Sequence, residues 1–395
     1  MGVALLPGLR VVEVAQGVSG PLAGKYFAAL GAEVLKVEPP AGDWARRAGP
    51  FPGDEPHPEK SGLFLYLNTG KQGITLNLDT ATGGAILRRL LADADILIYG
   101  GPAGYLEARG LGPAVLAALN PRLVTVSITD FGEGGPYRNF RGGELIAQAV
   151  GGVLYLSGDP AREPLKVGGN TIQYLAGYLG FTGGLIAYYH AAATGEGQLV
   201  EVSLMESAVF AHHYANLEWA FKGEIKRRRR DQSPTYRTGD GGYVTLSIIY
   251  RDVYWPTLTR LIGRPDLMDD PRFKDQASRR DHWPEVDAIL KDYFATQKAE
   301  EFYHRAQAAR MPAGYLCTPP DLLTSPQYRA RGFFQEIDHP VAGRLTYPGI
   351  PFKLDEVGWE LGRAPLLGEH NAAVYCGRLG YSRDDLTILR DRDVI

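Results

Sequence analysis

Cysteine is scarce. The 395-residue chain has two, Cys317 and Cys376. They lie far apart and lack both metal-ligand spacing and the density of a disulfide framework. They read as packed thiols of a protein in a reducing cytoplasm. A basic surplus is also missing: 42 Lys and Arg face 45 Asp and Glu, a formal net charge of -3. That balance removes the electrostatic argument for nucleic acid. No uncharged apolar run reaches the length of a membrane span. The richest candidate, Tyr174 to Ala193, carries Gly and Tyr and reads as a buried helix. Met1 to Pro7 is too short for a secretory apolar segment and has no cations before it. Leu6 stands where a myristoylation start has Ser or Thr. Internal repeats and low-complexity tracts are missing as well. No His, Cys and carboxylate cluster suggests a metal. GxGxxG does not follow the first strand, so NAD has no support. No tightly bound cofactor is expected.

What remains is an ordinary globular composition, 45% apolar and 22% charged, long enough for two domains. Leu9 to Val14 alternates like a strand. Gly20-Pro21 opens a helix that Gly31 stops, and Ala32 to Glu38 is a second strand. The pattern repeats with a strand at Gly73 to Leu78, a helix at Thr80 to Ala92 and a strand at Asp95 to Ile98. A helix over Tyr105 to Ala118 and a strand over Leu123 to Ile128 follow. Serial strand–helix–strand units predict a doubly wound α/β domain with a parallel sheet. Glu144 to Val153 and Thr171 to Ala193 are helical, the second ending at Gly195. Val200 to Ser203 is a strand. The basic run Lys226 to Arg230 marks a break and reads as a solvated linker rather than a phosphate contact. Beyond it, Gly239-Asp240-Gly241-Gly242 reads as a hairpin turn into a strand over Tyr243 to Ile248, with helices starting near Trp255, Pro284 and Glu300. Residues 226–330 are expected to form a smaller domain, and 1–225 with 331–395 a larger one.

The stretch Lys166 to Val209, KVGGNTIQYLAGYLGFTGGLIAYYHAAATGEGQLVEVSLMESAV, resembles the signature of the family III CoA-transferases. That superfamily includes formyl-CoA transferase, carnitine CoA-transferase and α-methylacyl-CoA racemase. The similarity extends along the chain. LPGLRVVEVAQGVSGPLAGKYFAALGAEVLKVEPPAGDWAR, LNTGKQGITLNL, TDFGEGGPY, RTGDGGYVTLSI, MPAGYLCTPPDLLTSPQYRARGFF and APLLGEHNAAVYCGRLGYS resemble family motifs in the family's order. The resemblance implies a Rossmann-like large domain built from both chain ends, a small α+β domain and two interlocked chains. It also implies transfer of CoA between an acyl-CoA and a carboxylic acid, both bound as substrates.

One residue departs from the signature. Gln173 fills the slot of the family's nucleophilic Asp. A carboxylate attacks a thioester and forms a covalent intermediate; an amide is no such nucleophile. Two readings stay open: a CoA-transferase with an altered site, or a non-catalytic subunit paired with an Asp-bearing paralogue. Glu144 matches a carboxylate near the family's active site and is the best remaining candidate base. Arg46 and Lys71 match basic residues, Lys71 near the nucleotide end of CoA. The loop Tyr99-Gly100-Gly101-Pro102-Ala103-Gly104 lacks the Asn and Arg that help hold CoA, but Gly100 and Gly101 offer bare backbone N–H groups. Gly143 occupies the slot of the racemases' His, which disfavours racemisation. Asp130 reads as a turn cap. His190, His212 and His213 read as packed or partly exposed residues.

Overall fold

The computed structural model describes residues 4–228, 235–246, 251–355 and 361–395. The chain divides into two compact units. The first comprises Met1–Ser157, Leu165–Lys226 and Gly332–Ile395; the second comprises Gly158–Pro164 and Arg227–Arg331.

The first unit is built on a six-stranded parallel sheet. Its strands are β1 (Arg10–Ala15), β2 (Glu33–Glu38), β3 (Gln72–Thr75), β4 (Ile96–Gly100), β5 (Val124–Thr129) and β6 (Leu199–Ser203). The order β3-β2-β1-β4-β5-β6 is that of a doubly wound Rossmann-like sheet. The helices between strands are α1 (Ser19–Ala29), α2 (Gly62–Leu67), α3 (Ala81–Leu91), α4 (Pro113–Leu119), α5 (Glu144–Val150) and α6 (Thr171–Thr194). After β6 come α7 (Leu204–Ala211) and α8 (His213–Lys222).

The central strands are rich in Val, Ile and Leu because both faces are covered, with Glu13, Lys36 and Glu38 as buried charged exceptions. Val11, Ile98, Val126 and Ile128 pack with Phe27 of α1 and Phe181 of α6 on one face. Val12, Leu35, Leu97 and Tyr99 pack with Leu87 and Leu90 of α3 on the other. Each fully buried aliphatic side chain of this kind contributes roughly 1.5–3 kcal/mol.

The expected helix from Tyr105 to Ala118 is corrected. A single 3-10 turn at Glu107–Arg109 ends at Gly110, whose φ is +69°, and α4 begins only at Pro113. Gly110 and the Gly112-Pro113 pair interrupt the helical ladder. The expected helix from Glu144 to Val153 is also shorter, because α5 gives way at Gly151 and Gly152, the latter at φ +84°. α6 does end on Gly195, which adopts φ +82°.

The second unit has the antiparallel strands β7 (Thr235–Arg237), β8 (Tyr243–Leu246) and β9 (Ala313–Tyr315). Its helices include α9 (Trp255–Leu261), α10 (Gln276–Asp281), α11 (Trp283–Phe294) and α12 (Ala299–Ala308), followed by α13 (Pro319–Thr324) and α14 (Pro326–Ala330). Trp255, Phe273, Phe294 and Phe302 form its core. The strand expected to reach Ile248 is described to Leu246, and residues 247–250 lie outside the described residues. Of the basic run, Arg228 donates to the carbonyls of Asp159 (2.9 Å) and Arg162 (3.0 Å). Arg229 and Arg230 lie outside the described residues, as does the side chain of His213. His190 is exposed on α6.

The chain then returns to the first unit with the hairpin β10 (Phe334–His339) and β11 (Gly343–Pro348) and closes with α15 (Arg383–Asp391). The C-terminal segment braces the sheet edge at β3. The Asn371 Oδ1 accepts the Thr75 N–H at 2.9 Å, and the Tyr375 hydroxyl donates to the Thr75 carbonyl at 2.7 Å.

Candidate active site

In an open parallel sheet, ligands bind beyond the carboxyl ends of the strands, where neighbouring strands lead off in opposite directions. Here that place lies between β1 and β4. β1 is followed by β2 on one side, and β4 by β5 on the other. Ala15 pairs with Gly100 and Gly100 with Ile128, so the three strands finish level. A cleft of about 330 Å³ lies at these ends, lined by Gln16, Ser19, Gly100, Gly101, Asp130 and Gln173 among others. A second hollow of about 160 Å³ shares Gln16, Gly100, Gly101 and Pro102 with it and reaches Asp79 and Tyr105.

Close backbone approach makes the cleft. A Cβ on Gly20 would lie 2.3 Å from the Ala15 Cβ, and one on Gly100 would lie 3.0 Å from it. Glycine at both positions lets the start of α1 settle over the β1–β4 crevice.

A buried ionic lattice fixes the rim. Lys36 bridges Glu13 (3.1 Å) and Asp43 (2.9 Å), and Lys71 meets Glu13 at 2.7 Å. Asp43 accepts the N–H of Gly17 at 2.9 Å and of Ala45 at 2.8 Å, which ties the loop after β1 to the turn after β2. Burial alone would lower the Lys36 ammonium, but the Asp43 and Glu13 carboxylates hold it above its ordinary value. Burial would raise Asp43, and Lys36 together with the two N–H donors holds it below the usual carboxylate range.

Arg46 and Lys71, expected to meet CoA, are interior groups, and that expectation is corrected. Arg46 is 1% exposed. Its guanidinium reaches Glu38 through Nε (2.7 Å) and Nη2 (2.8 Å), reaches Glu59 through Nη1 (2.7 Å), and lies on the Phe64 ring. Lys71 Nζ donates to Glu13 (2.7 Å), the Pro21 carbonyl (2.7 Å) and Asn68 (2.9 Å), which uses all three of its protons. Neither cation keeps a donor for a phosphate. They hold the scaffold under the cleft.

Glu144 is likewise committed. Buried at the start of α5, its carboxylate accepts the backbone N–H groups of Ile172 (3.0 Å) and Gln173 (2.9 Å) and the Gln148 side-chain amide (2.7 Å). It caps the first turn of α6 and fixes where Gln173 stands. The Gln173 side-chain amide makes no hydrogen bond among the described residues.

Asp130 departs from its reading as a turn cap. The turn after β5 is capped by Thr129, whose Oγ1 accepts the Gly132 N–H at 2.9 Å. Asp130 instead accepts the Gly142 N–H at 3.0 Å across the cleft wall. Burial pushes its carboxyl up, against the N–H groups of Gly142 and Gly143. Gln16, Ser19 and Asp130 were not picked out as site residues; each follows directly on, or lies near, a parallel strand's carboxyl end, and that is the signal that locates them.

A larger cavity of about 630 Å³, lined by Leu22, Leu65, Tyr66, Tyr174, Tyr178 and Tyr347, has no ionisable carboxylate or cation in its wall. The polar groups converge instead at the strand ends.

The profile of CoA-transferase family III matches residues 6–371. The chain belongs to that family. The succinyl-CoA:(R)-benzylsuccinate CoA-transferase subunit BbsE of Thauera aromatica is 33% identical, with 95% of each chain covered. The succinyl-CoA–L-malate CoA-transferase beta subunit of Chloroflexus aurantiacus is 31% identical over 99% of this chain and 98% of its own. Among solved structures, a CaiB/BaiF family protein from Brucella suis superposes with a TM-score of 0.84 at 30% identity, covering 95% of this chain and 100% of that one. Among the described residues no helix is long and apolar enough to cross a membrane.

Proposed function

We propose that the chain transfers CoA between an acyl-CoA thioester and a carboxylic acid at the strand-end cleft. The observation that carries this reading is the position of Gln173, the slot of the family nucleophile, in the wall of that cleft beside Gly100 and Gly101. Its volume suits the acyl end of a thioester, since small-molecule sites run from about 300 Å³ upward. The adjoining hollow beside Gly100 and Gly101 takes the pantetheine side of CoA, with backbone N–H groups as donors. CoA enters and leaves as a substrate, not as a resident cofactor. Succinyl-CoA is the first donor to test, because both relatives described above carry it in their names.

A second reading makes this chain one subunit of a heteromer, with an Asp-bearing paralogue as its partner. The amide at position 173 favours it, and both relatives are named as subunits. The interlocked pairing of two chains and a cytoplasmic setting belong to the same proposal; the two free thiols agree with the latter.

Calorimetric titration of the purified chain with CoA and with succinyl-CoA tests the pocket. Saturable binding of both is expected. A folded chain that binds neither would remove CoA transfer by this cleft.

A further inference from the structure

We infer that Asp130 supplies the carboxylate that Gln173 does not, so that the nucleophile of this chain stands at the end of β5 instead of the start of α6. The inference rests on the CoA-transfer reading of the cleft.

Three observations converge. Asp130 is the one ionisable side chain among the described residues lining the cleft that also holds Gln173. No cation of the described residues forms an ion pair with it. It stands on a rigid support: its backbone carbonyl accepts the Met205 N–H at 3.1 Å, and its Oδ2 accepts the Gly142 N–H at 3.0 Å. A Cβ on Gly142 would come within 2.7 Å of the Asp130 side chain, so the carboxylate is held against bare backbone. A half-buried carboxylate without a counter-ion is less solvated than one in water, and its resting state is correspondingly less stabilised.

The two cleft residues then divide the work. A carboxylate oxygen of Asp130 attacks the thioester carbon; a C–O bond forms, the C–S bond breaks, and CoA leaves as thiolate. The thiolate attacks the Asp130 carbonyl carbon of the mixed anhydride and expels the donor acid as carboxylate. The acceptor carboxylate then attacks the Asp130–CoA thioester and releases CoA thiolate. In the last step the thiolate attacks the acyl carbon of the new anhydride, forming acceptor-CoA and freeing Asp130. No proton or electron is gained or lost overall. The free amide of Gln173 donates to the oxygen on which charge develops, a role that suits an amide.

The test is a half-reaction that needs no acceptor and no partner. The chain is incubated with succinyl-CoA, treated with borohydride, which reduces an enzyme thioester to an alcohol, and mapped by peptide mass spectrometry. Calorimetry on the same sample reports CoA binding. Reduction at Asp130 is expected in the wild type. In Asp130→Asn, which keeps an oxygen for the Gly142 N–H, a loss of labelling by at least about a thousandfold is expected with CoA affinity preserved. A chain that binds CoA but stays unmodified at Asp130 overturns the inference and leaves the CoA-transfer reading standing; so does labelling that persists in Asp130→Asn. A folded chain that binds no CoA overturns both. The wild-type map decides even if the variant fails to fold.

Discussion

Lys25 shows how much a single buried cation governs. It is 1% exposed, with its ammonium over the Tyr66 ring and donating to the Tyr66 carbonyl at 2.8 Å. Burial, then the nearby charge of Lys71, brings it down to about 7; burial brings Lys71 down to about 8 against the pull of Glu13. Their unfolded values lie near 10.5. Between the folded and unfolded values the unfolded chain binds more protons, so stability rises with pH from about 7. Lys36 runs the other way but only above 10.5, and the raised tyrosines begin to oppose near 10. The urea midpoint is therefore expected to be higher near pH 9.5 than near pH 7, and Lys25→Met to raise the lower value and shrink the difference. A midpoint that falls over this window in the wild type contradicts the account. Single residues were also the least legible part of the sequence. Gln173 was found by its place in a motif. Arg46 and Lys71 were recognised but misassigned, because their partners Glu13 and Glu38 sit in strands buried on both faces. No local period says which inward charge meets which.

At the scale of elements, α6 is shaped by its glycines. Cβ atoms on Gly177, Gly180 and Gly184 would meet the Ser19 carbonyl at 2.7 Å, Ile128 at 2.8 Å and Val126 at 2.8 Å. The helix thus lies close on α1 and on β5, the two elements that frame the cleft. Gly177→Ala is expected to lower stability by about 1–3 kcal/mol despite the better helix propensity of Ala, since the clash is with backbone. Gly84→Ala in α3, where a Cβ meets nothing within 4 Å, is expected to raise it by about 0.4–1 kcal/mol. Denaturant unfolding of the pair checks both signs, and equal shifts would contradict the packing argument. The strands were legible as short apolar runs between turn residues, and α6 as a long apolar segment with a terminal Gly. The stretch after β4 was not, because its apolar spacing is that of a helix while Gly110 and Gly112-Pro113 break the ladder.

For the whole molecule, the exposed surface bears on assembly. Large side chains stand exposed on α6 and α8, among them Ile186, Tyr189, Trp219 and Phe221. Exposed apolar groups at this density mark association surfaces. Light scattering is expected to return about twice the chain mass of 43.1 kDa, and a stable monomer would remove the interlocked pair. The parallel layering was legible because strand–helix–strand spacing repeats. The membership of Gly158–Pro164 in the second unit was not, since the bonds from Arg228 to Asp159 and Arg162 span 69 and 66 residues.

The brace at β3 imposes an order on biosynthesis. Thr75 and Tyr375 are separated by 300 residues. While the ribosome is still making the second unit, β1 to β6 have all emerged, yet one edge of their sheet lacks its clasp. A nascent chain must hold that edge open, and away from neighbours, until Asn371 and Tyr375 arrive. Residues that follow the second unit in the chain therefore act as the latch of a sheet whose strands all precede it.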